Sequence, residues 1–276
     1  IAAERLGVTM DMVNVAQVDT DISPFGLGSF ATRGTLMGGN GVLAAANNAY
    51  EQMADIAADL LKAKPGDVQC RKGMFFLTAS PDTRISFKAV ASQATIKHHG
   101  APIVGTGFYE PPTVLPDPKT KKGNISPAYP FGCQIAEVEV DPDTGQVSVT
   151  NFVAAHDVGR AINPMATEGQ IQGGIAQGLG WTLMENMAYE DGKVINADFV
   201  DYIVPSSLDI PDITSILVEP IEPNGPYGAK GIGEPALNPT MAAITNAIYD
   251  ATGVRIKELP VNPQQLLAEI EKQKAM

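Results

Sequence analysis

Ile171, Ile175, Leu179, Leu183 and Met187 recur at strict four-residue spacing after Asn163-Pro164, which commits the segment to a helix with one apolar stripe. Its other residues constrain the fold further. Gly169, Gly173, Gly174, Gly178 and Gly180 lie in or beside the helix, and each costs about 1 kcal/mol relative to alanine in a helix interior. Something must therefore approach the backbone closely. Two candidates satisfy the pattern, a sheet packed tightly on the helix or a cofactor lying along it.

A second glycine-rich segment, Gly228-Ala229-Lys230-Gly231-Ile232-Gly233-Glu234-Pro235, carries a single carboxylate. Glycines at 228, 231 and 233 permit positive φ and close approach by another molecule. Pro235 predicts an extended Glu234, because the residue before proline is pushed out of the α region, so the carboxylate is aimed. A plainer reading has Glu234 complementing the positive end of the next helix. Asn238-Pro239 supplies an N-cap and a proline for that helix, and Leu237, Met241, Ile244, Ile248 and Ala251 supply its three- and four-residue periodicity.

The chain has 276 residues, 44% of them hydrophobic, enough to bury one large core or two modest ones. Its formal charge of −12 opposes association with nucleic acid or an anionic membrane, both polyanions themselves. No run of apolar residues reaches the roughly 18 needed for a membrane span, and no leader pattern opens the sequence, so a cytoplasmic protein is expected. Cys70 and Cys133 are too few for a disulfide framework or an iron–sulfur site, and His98, His99 and His156 do not suggest a protein-ligated zinc. Ile1 to Gly7 reads as the last turns of a helix, which suggests a piece of a longer polypeptide or one part of a split subunit.

Along the chain, Val13–Val18 predicts a strand, and Asp19 to Gly41 a long Gly/Ser/Thr-rich loop. A helix follows from about Asn40 to Lys62, closed by Pro65-Gly66. Strands around Val68 and Met74–Leu77 precede a helix entered at Ser86. Residues 110–130, polar and rich in proline, read as a surface excursion between two lobes. Alternation over Ile135–Val140, the turn Asp141-Pro142-Asp143-Thr144-Gly145 and Val147–Val149 predict a hairpin. Further strands are expected near Phe199–Val204 and Ile213–Val218.

Gly26-Leu27-Gly28-Ser29-Phe30-Ala31 matches a dinucleotide-binding pattern but does not directly follow its strand or open a helix, so that function is set aside. An irregular loop fits better, its residues Ser29, Ala31, Thr32, Gly34 and Thr35 offering backbone N–H groups to an anionic or oxygen-rich ligand, with Arg33 adding charge. No nucleophile elbow, Ser/His/Asp arrangement or phosphate loop is present. Two glycine-rich segments and one glutamate remain, on three separate elements.

Taken together these residues resemble the molybdopterin-binding large subunit of the xanthine dehydrogenase and aldehyde oxidoreductase family of molybdenum hydroxylases. The resemblance covers essentially the whole chain and rests on Gly26 to Gly41, Asp157-Val158-Gly159 with Asn163-Pro164, Glu168-Gly169-Gln170 leading into Gly173 to Glu185, and Gly228 to Pro235. It implies an α+β fold of mixed sheets packed with helices, the C-terminal part of the molybdopterin-binding domain, incomplete without an upstream or partner chain. Lobes at 1–125 and 126–276 are expected, the second carrying the glutamate turn.

The resemblance further implies that Glu234 is the catalytic base for hydroxylating an electron-poor carbon of an N-heteroaromatic, purine or aldehyde, with water as oxygen source. Ala31, Thr32, Arg33, Gly34 and Thr35 match the loop beside the molybdenum, Gln170 a residue that hydrogen-bonds the pterin, and Lys230, Gly231, Ile232 and Gly233 the backbone around the cofactor. The implied cofactor is molybdopterin in its cytosine dinucleotide form. Its dithiolene holds the metal, with no protein ligands. Iron–sulfur and FAD partner chains or domains and the remaining molybdopterin-binding polypeptide complete the assembly. Arg33 departs from the purine-oxidising pattern and resembles the 4-hydroxybenzoyl-CoA reductase and carbon monoxide dehydrogenase branches, whereas Gly-Ile-Gly-Glu-Pro is the hydroxylase form. An aryl-CoA reductase or carbon monoxide dehydrogenase-like subunit, and a non-catalytic assembly subunit, therefore stay open as alternatives.

Overall fold

The structure, a computed structural model, describes residues 1–21 and 23–275. The chain forms two compact units, one of residues 1–128 with 223–228, the other of residues 129–222 with 229–276. Both combine helices with small sheets, an α+β architecture.

In the first unit, α1 (Ala2–Leu6) stops at Gly7, whose φ of 70° supplies the left-handed C-cap. The expected strand at Val13–Val18 is absent. The segment alternates, but among the described residues no neighbouring strand pairs with it, and Val15 and Val18 lie exposed. Alternation makes a strand only where a partner accepts its hydrogen bonds. Part of the predicted loop, position 22, lies outside the described residues. A π-helical turn over Gly34–Gly38 then runs into α2 (Gly39–Leu61). Strands β1 (Val68–Arg71), β2 (Met74–Leu77) and β3 (Ser80–Ser86) form an antiparallel sheet. Ser86 caps α3 (Phe87–Lys97), its hydroxyl accepting from the Ala89 N–H. Met53, Ile56 and Ala57 of α2, Val68, Phe75, Val90 and Ala94 form the core. Residues 223–228 join this unit through Asn224, whose carbonyl accepts from Asn40 Nδ2 at 2.8 Å and from the Tyr109 hydroxyl at 3.1 Å.

The second unit is built on β4 (Gly132–Val140) and β5 (Val147–Asp157), the predicted hairpin with longer strands. Asp141 Oδ1 accepts the N–H groups of Asp143 and Thr144, which closes the turn and holds its carboxyl below the usual range. The helix α4 (Pro164–Leu183) follows, capped by Asn163 Oδ1, which accepts from the Ala166 N–H. A two-residue ladder, β6 (Tyr189–Glu190) with β7 (Lys193–Val194), precedes an irregular stretch where a strand near Phe199–Val204 was expected. Phe199 and Val200 are exposed there, so apolar character again lacks a partner. β8 (Asp212–Val218) pairs parallel to β5 and gives a mixed sheet of order β4-β5-β8. α5 (Glu234–Leu237), α6 (Thr240–Thr252) and α7 (Pro263–Lys274) complete the unit. Phe152 and Ala154 of β5 meet Ile171, Ile175 and Leu179 of α4 and Ile244 and Ile248 of α6 in one core.

Candidate functional site

Glu234 opens the one-turn helix α5. The expectation of an extended Glu234 is thus corrected. Gly233 forms the N-cap, and proline is tolerated in a first helical turn because its missing N–H would have no intrahelical acceptor. Asn238 is likewise not a cap; it has helical angles, and Pro239 precedes α6. Glu234 is exposed, while Gly231 and Ala236 on either side are buried.

The backbone leading to Glu234 is fastened to the end of β5. Ala229 bridges to Gly159, and the Lys230 N–H donates to the Val158 carbonyl at 2.8 Å. The Lys230 side chain turns inward. Its Nζ lies 2.6 Å from Asp157 Oδ2 and 3.1 Å from the Tyr129 carbonyl, and the two charged side chains are only 9% and 11% exposed. A pair this buried survives only with its remaining hydrogen-bonding capacity met. Asp157 Oδ1 accepts from the Gly159 N–H at 3.2 Å, and the Asp157 N–H donates to the Phe131 carbonyl. Lys230 thus fixes the turn, and its ammonium is spent on Asp157.

Behind Glu234, α4 packs against α5 and α6 through two of its glycines. A β-carbon at Gly174 would lie 2.7 Å from Ala236 Cβ, and one at Gly178 would lie 2.6 Å from Thr240 Cβ. For these positions the tight-packing reading holds, although helices rather than the sheet make the contact. Gly169 and Gly173 differ. A β-carbon at either would meet no heavy atom within 4 Å. Gln170 is exposed one turn before Gly174. The structure therefore brings the Gln170 helix and the Lys230–Glu234 turn together within one unit.

Ala31, Thr32, Arg33, Gly34 and Thr35 lie in the other unit. Ala31 and Thr32 both adopt left-handed backbone, φ 50° and 59°, which is rare for any residue with a side chain and more so for a β-branched one. Such strain costs on the order of 1–3 kcal/mol per residue and gathers at functional loops. The Arg33 guanidinium sits 5.1 Å from the Phe30 ring centroid, and the π-helical turn begins at Gly34, another feature common at functional sites. Sequence reading found this loop from its small residues but missed both conformations, since neither Ala nor Thr signals left-handed backbone. It placed Asp157 only in a motif of the resemblance and gave no role to Gln134 or His156, all three of which support the glutamate turn from neighbouring strands.

Among the described residues no cluster of His, Cys, Asp or Glu could hold a metal ion, and no helix is long and apolar enough to cross a membrane.

An α+β chain whose glutamate turn and open-faced glycine helix lie side by side has the features of a cofactor-binding domain. Residues 1–211 match the molybdopterin cofactor-binding domain family, and the chain belongs to it. It is 32% identical over 275 residues to the gamma subunit of the 6-hydroxypseudooxynicotine dehydrogenase complex of Paenarthrobacter nicotinovorans, spanning 98% of this chain and 34% of that one. It is 33% identical to the xanthine dehydrogenase molybdenum-binding subunit of Escherichia coli O157:H7, over 98% of this chain and 35% of the other. Quinoline 2-oxidoreductase from Pseudomonas putida 86 superposes with a TM-score of 0.85 at 31% identity, covering 98% of this chain and 34% of that chain. The chain spans about a third of the length of these relatives.

Proposed function

We propose that this chain is the part of a molybdenum hydroxylase large subunit that carries the catalytic base, and that the base is Glu234. The observation that carries the reading is the position of that carboxylate. It is exposed at the start of α5 on a turn held from behind by the Lys230–Asp157 pair. A general base needs this combination of a reachable oxygen and an immobile backbone.

The residues fit the cofactor. Gly169 and Gly173 leave the α4 backbone open where side chains would otherwise stand, and Gln170 between them offers amide donors and an acceptor. The backbone of Gly231, Ile232 and Gly233 supplies further polar contacts. With no metal-ligating cluster among the described residues, the donor set suits a metal carried by the pterin's own sulfur atoms. When bound, the cofactor supplies a two-electron acceptor and an oxygen drawn from water. Glu234 takes up the proton at its carboxylate, and its turn keeps that oxygen in place while an electron-poor carbon is hydroxylated. The substrate class is an N-heteroaromatic, purine or aldehyde, in keeping with the names of the relatives. The cytosine dinucleotide form of molybdopterin, and iron–sulfur and FAD partners that carry the electrons away, complete the proposal.

Large apolar side chains stand exposed at Phe108, Leu115, Phe199 and Leu208. The remaining molybdopterin-binding polypeptide is a further proposed partner. Glu234→Gln in the assembled enzyme should keep the molybdenum content and lower turnover by roughly 10²–10⁴-fold, the usual contribution of a positioned base. Turnover within a few-fold of the unmodified enzyme would remove Glu234 from the mechanism.

A further inference from the structure

Two residues after Glu234, the Ala236 carbonyl is held by a side chain from the sheet. Gln134 Nε2 on β4 donates to it at 2.7 Å, and the Thr240 hydroxyl lies 3.2 Å from the same oxygen and 2.8 Å from Gln134 Oε1. A carbonyl oxygen only accepts, so the Gln134 amide must present its nitrogen there. The same nitrogen lies 3.0 Å from His156 Nε2. Its second N–H can be accepted only if Nε2 carries the lone pair, which makes the His156 ring neutral with its proton on Nδ1. Nδ1 is buried without a partner, and a β-carbon at Gly132 would come within 2.5 Å of it.

The fully buried ring faces uncharged groups. These are Gln134 and Gly132 on β4 and Leu217, the register partner of His156 on β8, while Ala236 on α5 and Thr240 on α6 lie beyond Gln134, bonded to its amide. The charged residues next along the chain are Asp157, ion-paired with Lys230, and Glu234 ahead of Ala236. Desolvation pushes the His156 pKa below the ordinary histidine value. A protonated ring would present N–H at both nitrogens. Gln134 Nε2 would then oppose a donor, and turning the amide over would place Oε1 against the Ala236 carbonyl, acceptor on acceptor. Protonation therefore works against the Gln134 hydrogen bond to Ala236 in either amide orientation, leaving only the longer Thr240 contact unopposed.

We propose that Gln134 is a positioning residue for Glu234, and that neutral His156 locks its amide in the donating orientation. The proposal rests on Glu234 being the base. Gln134→Leu and His156→Leu in the assembled, molybdenum-loaded enzyme test it, with Glu234→Gln measured alongside. Gln134→Leu should lower kcat about tenfold, the scale of one hydrogen bond made by a well-placed amide, with KM within about twofold and full molybdenum content. His156→Leu removes the group that titrates, so the acid limb of the kcat–pH profile should become shallower and move to lower pH. A merely structural histidine would leave that limb where it is. If Gln134→Leu does not assemble, the limb in His156→Leu decides. Unchanged kcat in Gln134→Leu, or an unmoved limb in His156→Leu, overturns the positioning role while a dead Glu234→Gln keeps the base. An active Glu234→Gln overturns both.

Discussion

Alanine placed at Gly173 and at Gly174 should have opposite consequences, although the two are neighbours on one helix. At both sites the substitution gains about 1 kcal/mol of helix propensity. At Gly173 nothing within 4 Å opposes the new methyl. At Gly174 the methyl would stand 2.7 Å from Ala236 Cβ and 3.0 Å from the backbone of Ala236 and Leu237, roughly 1 Å inside the carbon–carbon optimum of about 3.5–4.0 Å. Backbone cannot swing aside as a flexible side chain can, so overpacking should cost about 1–3 kcal/mol. Propensity cancels between the two variants, and their difference is that clash alone. At about 4 °C per kcal/mol for a unit of this size, the melting temperatures should differ by about 4–12 °C.

The assay is thermal and urea unfolding of the cofactor-free protein followed by circular dichroism. Gly173→Ala should melt about 4 °C above the unmodified chain, and Gly174→Ala at or below it. Equal shifts in the two variants would refute the assignment of Gly174 to packing against α5. The same pair tests the open face of α4 in the assembled enzyme. Gly173→Ala, the more stable protein, should retain less molybdenum, because its methyl occupies the space assigned to the cofactor. Full retention with unchanged turnover would show that nothing approaches the backbone there.

Two further outcomes follow from the buried groups. Lys230→Met leaves Asp157 buried with one uncompensated oxygen and should cost about 3–5 kcal/mol, with partial recovery in Asp157→Asn/Lys230→Met. A melting temperature that does not move in the single variant would mean the pair is solvated. Burial pushes the Cys70 thiol up to about 11, the Gly73 hydrogen bond offsetting only part of it, whereas Cys133 is exposed. A thiol reagent at pH 8 should therefore label Cys133 quickly and the partly buried Cys70 far more slowly, and two equally fast thiols would contradict the placement of Cys70.

The elements legible in the sequence are those whose signal is local. Ile135–Val140 alternates because one side of β4 meets the core, Asp141 closes its own turn, and Ser86 and Asn163 cap their helices with their own side chains. The failures share a different cause. Val13–Val18 and Phe199–Val204 carry strand-like residues, yet no strand among the described residues pairs with them. β3 is the converse, a polar segment containing Pro81 that is a strand only because β2 supplies its ladder. Glu234 was expected to be extended from the proline rule. The rule lost to Gly233, which absorbs the sharp change of direction with ψ −91° and lets the helix begin one residue earlier.

The plainer reading of Glu234, a carboxylate complementing a helix dipole, can be weighed against what holds it. α5 has one turn, and a favourable charge at a surface helix start contributes about 0.3–1 kcal/mol. That gain does not require a buried ion pair at Lys230, a sheet amide reaching the Ala236 carbonyl, or glycines at 174 and 178 that let α4 approach α5 and α6. A dipole partner tolerates a mobile side chain on a mobile turn. Every one of these contacts instead restricts the backbone on either side of Glu234 while leaving the residue itself exposed, the combination that the proposed role of a catalytic base calls for.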